Sequence, residues 1–165
     1  MKITFIRHGL CREMREARFG ADGPLDRSSR PAHVLSTPGT HFASPSLITL
    51  ESAKVLGLDV EKDHRLQPAD YGKWTGLTMK DLPPAALLEW RNNPEFRGHG
   101  GESILDLVER TGAWLHALPR KSETIVVTHA EIIRAAATAI SGNLEDYWNG
   151  PQRGLRAFDA HSLYL

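Results

Sequence analysis

The chain has 165 residues, 41% hydrophobic and 24% charged, the profile of a single ordinary globular domain (1–165) with one substantial core. Its 20 basic residues equal its 20 acidic ones, so overall charge points to neither nucleic acid nor an anionic membrane as partner, and any anion recognition must be local. The one cysteine, Cys11, excludes an intramolecular disulfide and fits a reducing, cytoplasmic compartment.

The first apolar run, residues 2–6, reads as a buried strand. It is broken at once by Arg7 and His8, which argues against a signal peptide, and no apolar run is long enough to span a bilayer. Residues 10–30 are polar and arginine-rich (Arg12, Arg15, Arg18, Arg27, Arg30), with Gly20, Gly23 and Pro24 as breakers. They predict a loop over the site, either simply solvated or helping to hold an anion. Residues 36–40 carry turn chemistry, and 41–43 form a short strand candidate.

The spacing predicts a helix over 45–56, closed by Gly57, and a short one over 83–90, stopped before Pro94. The best-patterned helix runs over 102–118, with Ile104, Leu105, Leu107, Val108, Trp114 and Leu115 as its apolar face. An apolar, β-branched run at 124–128 predicts a strand, and 130–140 a small-residue helix ended by Ser141-Gly142. Residues 155–165 predict a last strand or hairpin. Strand, helix, strand, helix in this order implies an α/β fold, a three-layer αβα sandwich with a mainly parallel central sheet.

Two of these strands end in a histidine: Arg7-His8-Gly9 follows the first, and His129 follows Thr128. In open α/β sheets ligands bind beyond the carboxyl ends of strands, so the two junctions predict one site. Arginine offers a planar fork of donors suited to phosphate, and histidine can act as nucleophile or proton carrier near neutral pH.

The ordered set Arg7-His8-Gly9, Ser44-Pro45, Tyr71-Gly72-x-Trp74-x-Gly76, Gly101-Glu102-Ser103, Thr128-His129 and Ile133-Arg134 resembles the histidine phosphatase superfamily, most closely its small phosphoglycerate-mutase-like branch. The match runs from about Lys2 to Arg134. The resemblance implies that His8 attacks phosphorus and becomes a phosphohistidine, that Arg7 binds the phosphoryl oxygens, and that His129 donates to the same oxygens. No metal or other cofactor is expected, because phosphoryl transfer rests mostly on positioning and charge stabilisation. The other histidines (His33, His41, His64, His99, His116, His161) lack metal-ligand spacing and read as surface or structural. Cys11 lacks the loop that activates a cysteine nucleophile.

The chain departs from the family pattern twice. Ile48 stands where a second phosphate-binding arginine is usual, and Pro68 where a glutamate usually donates the proton to the leaving group. His129-Ala130-Glu131 has the form of the acid phosphatase variant of the motif, which makes Glu131 the candidate donor. Its other reading is a first-turn carboxylate that complements a helix dipole. Asp70 is a second candidate. The expected function is therefore hydrolysis of a phosphomonoester, the partner being a small phosphorylated substrate or a phosphoprotein. The alternative is a degenerate member that binds a phosphorylated ligand or protein without turnover. Oligomeric state is not legible in the sequence.

Overall fold

The computed structural model describes residues 1–35, 37–119, 123–150, 152 and 155–165. Five strands form one sheet in the order β3-β2-β4-β1-β5: β1 Lys2–Arg7, β2 Thr40–Ala43, β3 Glu61–Lys62, β4 Thr124–Thr128 and β5 Ala160–Tyr164. All neighbours pair parallel except β5, which runs antiparallel to β1 along the sheet edge. The helices are α1 Arg12–Arg15, α2 Leu47–Leu56, α3 Pro84–Asn92, α4 Ile104–Ala117, α5 Ala130–Ser141 and α6 Asp146–Asn149.

Where one substantial core was expected, alternation along the central strands makes two, one on each face of the sheet. Ile3, Phe5 and Val126 pack with Leu107 and Trp114 of α4 and Ile132 and Ile133 of α5. The interleaved Ile6 and Val127 pack on the opposite face, with Ala43 and with Ala53 and Leu56 of α2. Period-2 burial on both faces is what a covered parallel sheet requires, and each fully buried aliphatic or aromatic side chain contributes about 1.5–3 kcal/mol. The three layers are those expected from the order of elements.

Helix ends follow their local chemistry. Ser103 and Asp106 form a reciprocal capping box at the start of α4, and Gly57 and Gly142 end α2 and α5 in the left-handed conformation. The structure refines several expectations. Helix α2 begins at Leu47 rather than at Pro45, α3 continues past Trp90 to Asn92, and residues 155–165 supply one strand rather than a hairpin. The loop over 10–30 contains the helical turn α1, and Ser36, in the turn expected over 36–40, lies outside the described residues. Among the described residues no helix is long and apolar enough to cross a membrane.

Candidate active site

Strands β1 and β4 are direct parallel neighbours, registered with Arg7 opposite Thr128. The next residue on each strand is a histidine, so the backbone register alone sets His8 and His129 side by side. The His8 amide donates to the Thr128 carbonyl at 3.0 Å, and the two imidazole centroids lie 4.7 Å apart, edge to face at 68°. Gly9 then turns the chain away: a Cβ there would sit 2.3 Å from Leu25 Cδ1, so a side chain at this position would displace the neighbouring loop.

Both imidazoles are buried. Nδ1 of His8 lies 2.7 Å from the Gly9 carbonyl. A carbonyl only accepts, so Nδ1 carries the hydrogen and Nε2 keeps its lone pair, the form a nucleophile needs. Burial lowers the His8 pKa from its usual 6.5, outweighing the opposing effects of the Gly9 carbonyl and the Glu131 charge.

His129 is pushed down to about 3, first by burial and then by the neighbouring His8. Its Nε2 reaches Ser46 Oγ at 2.9 Å and Ser44 Oγ at 3.2 Å. Thr49 Oγ1 donates to the Ser44 carbonyl at 2.6 Å and lies 2.9 Å from Ser46 Oγ. With the threonine hydrogen spent on a carbonyl, Ser46 donates to Thr49, and His129 Nε2–H donates to Ser46. His129 is thus a neutral donor with a hydroxyl as its present acceptor.

Arg7, His8, His129, Glu131 and Arg134 border one cavity of about 390 Å³. Nη1 of Arg7 donates to the Leu155 carbonyl, which fixes the guanidinium, while its buried Nε has no partner among the described residues. Glu131 lies in the first turn of α5 and Arg134 follows one turn later, so both project from one side of that helix. Burial alone would raise the Glu131 pKa, but His129, Arg134 and its own backbone amide outweigh it and hold the carboxyl below its usual range. The Arg134 guanidinium sits over the rings of Tyr147 at 5.0 Å and Trp148 at 5.5 Å.

Sequence reasoning missed three features here. Arg134 was part of the motif but had no role, although its spacing of three from Glu131 already placed the two together. Asp22 caps α2 from the loop, accepting from the Ile48 amide at 3.0 Å and the Leu47 amide at 3.2 Å. That carboxylate already satisfies donors an anion would otherwise use. The third is an aromatic wall of Phe19, Tyr71, Trp90 and Trp148, drawn from four separate segments.

The residues that depart from the family pattern are placed as follows. Ile48 is fully buried and does not border the cavity, whereas Pro68 does. Asp70 is exposed and does not border the cavity, and its Oδ1 accepts from the Gly72 amide at 2.8 Å. Of the loop arginines, Arg18 reaches the cavity wall, tied to Glu16 and to the Gly76 carbonyl. Cys11 is buried, and burial raises its thiol pKa. Among the described residues no group of three or more histidine, cysteine or acidic side chains is placed to hold a metal ion.

Two histidines and the guanidiniums of Arg7, Arg18 and Arg134 thus border one cavity at the carboxyl ends of adjacent parallel strands. The chain belongs to the histidine phosphatase superfamily (branch 1), whose family model matches residues 3–156. It is similar to a glucosyl-3-phosphoglycerate phosphatase of Mycolicibacterium vanbaalenii, at 30% identity covering 89% of this chain and 77% of that protein. It is also similar to phosphoserine phosphatase 1 of Hydrogenobacter thermophilus, at 28% identity covering 62% of this chain and 53% of that protein. The fold matches a phosphoglycerate mutase from Thermus thermophilus (TM-score 0.74, 22% identity, 99% of this chain and 92% of that one). A mycobacterial glucosyl-3-phosphoglycerate phosphatase solved with VO3 matches with TM-score 0.77 and 21% identity, again over 99% and 92% of the two chains.

Proposed function

We propose that the protein is a cytoplasmic phosphatase that hydrolyses a small phosphomonoester through a phosphohistidine on His8. One observation carries this reading: two neutral imidazoles 4.7 Å apart, one with its Nδ1 hydrogen fixed on Gly9 and its Nε2 lone pair available. The names of the two relatives, phosphatases of glucosyl-3-phosphoglycerate and of phosphoserine, support a small phosphorylated substrate.

In the first step His8 Nε2 forms a bond to phosphorus while the bond from phosphorus to the ester oxygen breaks. The Arg7 guanidinium binds a phosphoryl oxygen, and His129 Nε2–H turns from Ser46 to another, stabilising charge where it builds. Glu131, in protonated form, gives its proton to the leaving oxygen. In the second step water attacks phosphorus, its proton passes to the Glu131 carboxylate, and the bond to His8 breaks to release phosphate. A covalent intermediate divides one difficult displacement into two easier ones.

The test is turnover of p-nitrophenyl phosphate by wild type and by His8→Ala, with a search for an acid-labile, alkali-stable phosphoenzyme. The expected result is hydrolysis and a phosphoenzyme that both depend on His8. Binding of phosphate without any His8-dependent turnover would instead establish the non-catalytic alternative, which draws on Ile48 and Pro68.

A further inference from the structure

Beyond the charged groups, the cavity is bordered by rings. Phe19 and Tyr71 meet at 5.0 Å, Phe19 and Trp90 at 5.6 Å, and Trp90 and Trp148 at 5.0 Å. The set is contiguous and firmly held. Phe19 is tied by backbone hydrogen bonds to Leu77 and Gly76 and backed by Trp74, which in turn packs on Phe96 and His99. Trp90 and Trp148 are only half-buried and both border the cavity, with the guanidiniums of Arg91 and Arg134 over the Trp148 ring at 5.4 and 5.5 Å. A preformed wall of this kind offers ring faces against which a flat apolar group can pack.

A second observation is independent of the wall. Pro68, which cannot donate a proton, borders the cavity, and Glu131 faces Arg134, whose fixed positive charge favours the carboxylate. Proton donation is therefore limited near neutral pH. Esters with weakly basic leaving groups, such as phenols, depend least on it.

We infer that the site takes phosphate monoesters of aromatic alcohols, with the ring of the leaving group seated against Phe19, Trp90 and Trp148 while the phosphoryl group sits at His8. This rests on the phosphoryl site proposed above. Aryl esters are intrinsically reactive, so the test must read binding rather than rate. Phosphonates have no hydrolysable ester oxygen and serve that purpose. Calorimetric titration of wild type is expected to give at least about tenfold tighter binding of phenylphosphonate than of methylphosphonate. The ratio should fall toward one in Trp148→Ala and in Trp90→Leu, the second variant guarding against a folding defect in the first. Equal affinities in wild type would overturn the inference while leaving the phosphoryl site intact. So would tighter binding of phosphonoacetate than of phenylphosphonate, since Arg134 would then be reading a carboxylate. If neither simple phosphonate binds and no phosphate ester is turned over, the phosphoryl site itself fails, and this inference with it.

Discussion

Ser46 Oγ stands 2.9 Å from Nε2 of His129, on the nitrogen that the proposed chemistry gives to the phosphoryl group. The serine holds the donor's hydrogen in readiness and keeps a buried imidazole from going unsatisfied. It also means that His129 exchanges one acceptor for another on binding. The net gain is largest when the incoming oxygen is charged, because charge-assisted hydrogen bonds are worth about 1.5–3 kcal/mol against about 1 kcal/mol for neutral ones.

The buried histidine pair makes stability depend on pH. His129 is pushed down to about 3 in the folded chain against an ordinary 6.5, and His8 is lowered in the same direction. Between those values the unfolded chain binds more protons than the folded one, so stability is full above about pH 6.5 and is lost progressively as pH falls. Urea unfolding at pH 7 and pH 4.5 should show wild type losing on the order of 2 kcal/mol more over this interval than His129→Gln, which has no proton to take up. An equal loss in both proteins would mean that His129 is not held neutral by the fold.

Proton donation sets a second pH dependence, of opposite benefit. Glu131 is held below its usual range, so its protonated fraction grows as pH falls, while His8, also lowered, stays neutral and nucleophilic below its ordinary 6.5. Hydrolysis of an alkyl phosphate should therefore rise from about pH 8 to about pH 5. Glu131→Gln should flatten that rise and reduce kcat/KM on alkyl esters by about 10²- to 10⁴-fold while sparing aryl esters. Equal loss on both ester types would assign Glu131 to holding His129 and the start of α5 instead.

The histidine pair was legible because two β-branched runs ended in the same residue type, and a parallel register then does the rest: Arg7 opposite Thr128 leaves no other place for the next residues. The interior of α4 was legible for a similar reason, a single apolar face, although the helix predicted over 102–118 ran through Ser103, which caps it. Strand β3 was not, since Glu61 and Lys62 are exposed and pair with β2 through backbone alone, with no apolar pattern to announce them. Asp22 lies 25 residues from the Leu47 amide that it caps, a distance at which local capping rules carry no signal. The aromatic wall was hidden for the same reason: Phe19, Tyr71, Trp90 and Trp148 converge only after the chain has folded.

Gly101 explains why two separated motifs belong together. A Cβ there would lie 2.1 Å from the Asp70 carbonyl oxygen, and the Glu102 amide donates to that same oxygen at 2.8 Å. The segment beginning at Gly101 is thus laid directly on the one holding Tyr71. Gly101→Ala must push the two apart and should cost about 1–3 kcal/mol by denaturant unfolding. Because Tyr71 borders the cavity, the same variant should weaken phenylphosphonate more than methylphosphonate. Unchanged stability would show that this backbone contact yields easily.

The last prediction concerns which guanidinium compensates for the arginine that Ile48 replaces. Ile48 is fully buried and Asp22 occupies the start of α2, so the compensating charge must come from elsewhere on the cavity wall. Of the three arginines on that wall, Arg18 is tied to Glu16 and the Gly76 carbonyl, whereas Arg7 and Arg134 have Nε unpartnered among the described residues. A lysine keeps the charge but not the planar fork. Arg7→Lys should therefore weaken vanadate inhibition by roughly 10- to 100-fold, the equivalent of about 1.5–3 kcal/mol. Arg134→Lys should weaken it by about tenfold if Arg134 stands in for the missing arginine. A comparable loss in the two variants would make the pocket a two-arginine site built from a different pair of positions. Loss in Arg7→Lys alone would confine Arg134 to holding Glu131 and the rings of Tyr147 and Trp148, which it already overlies.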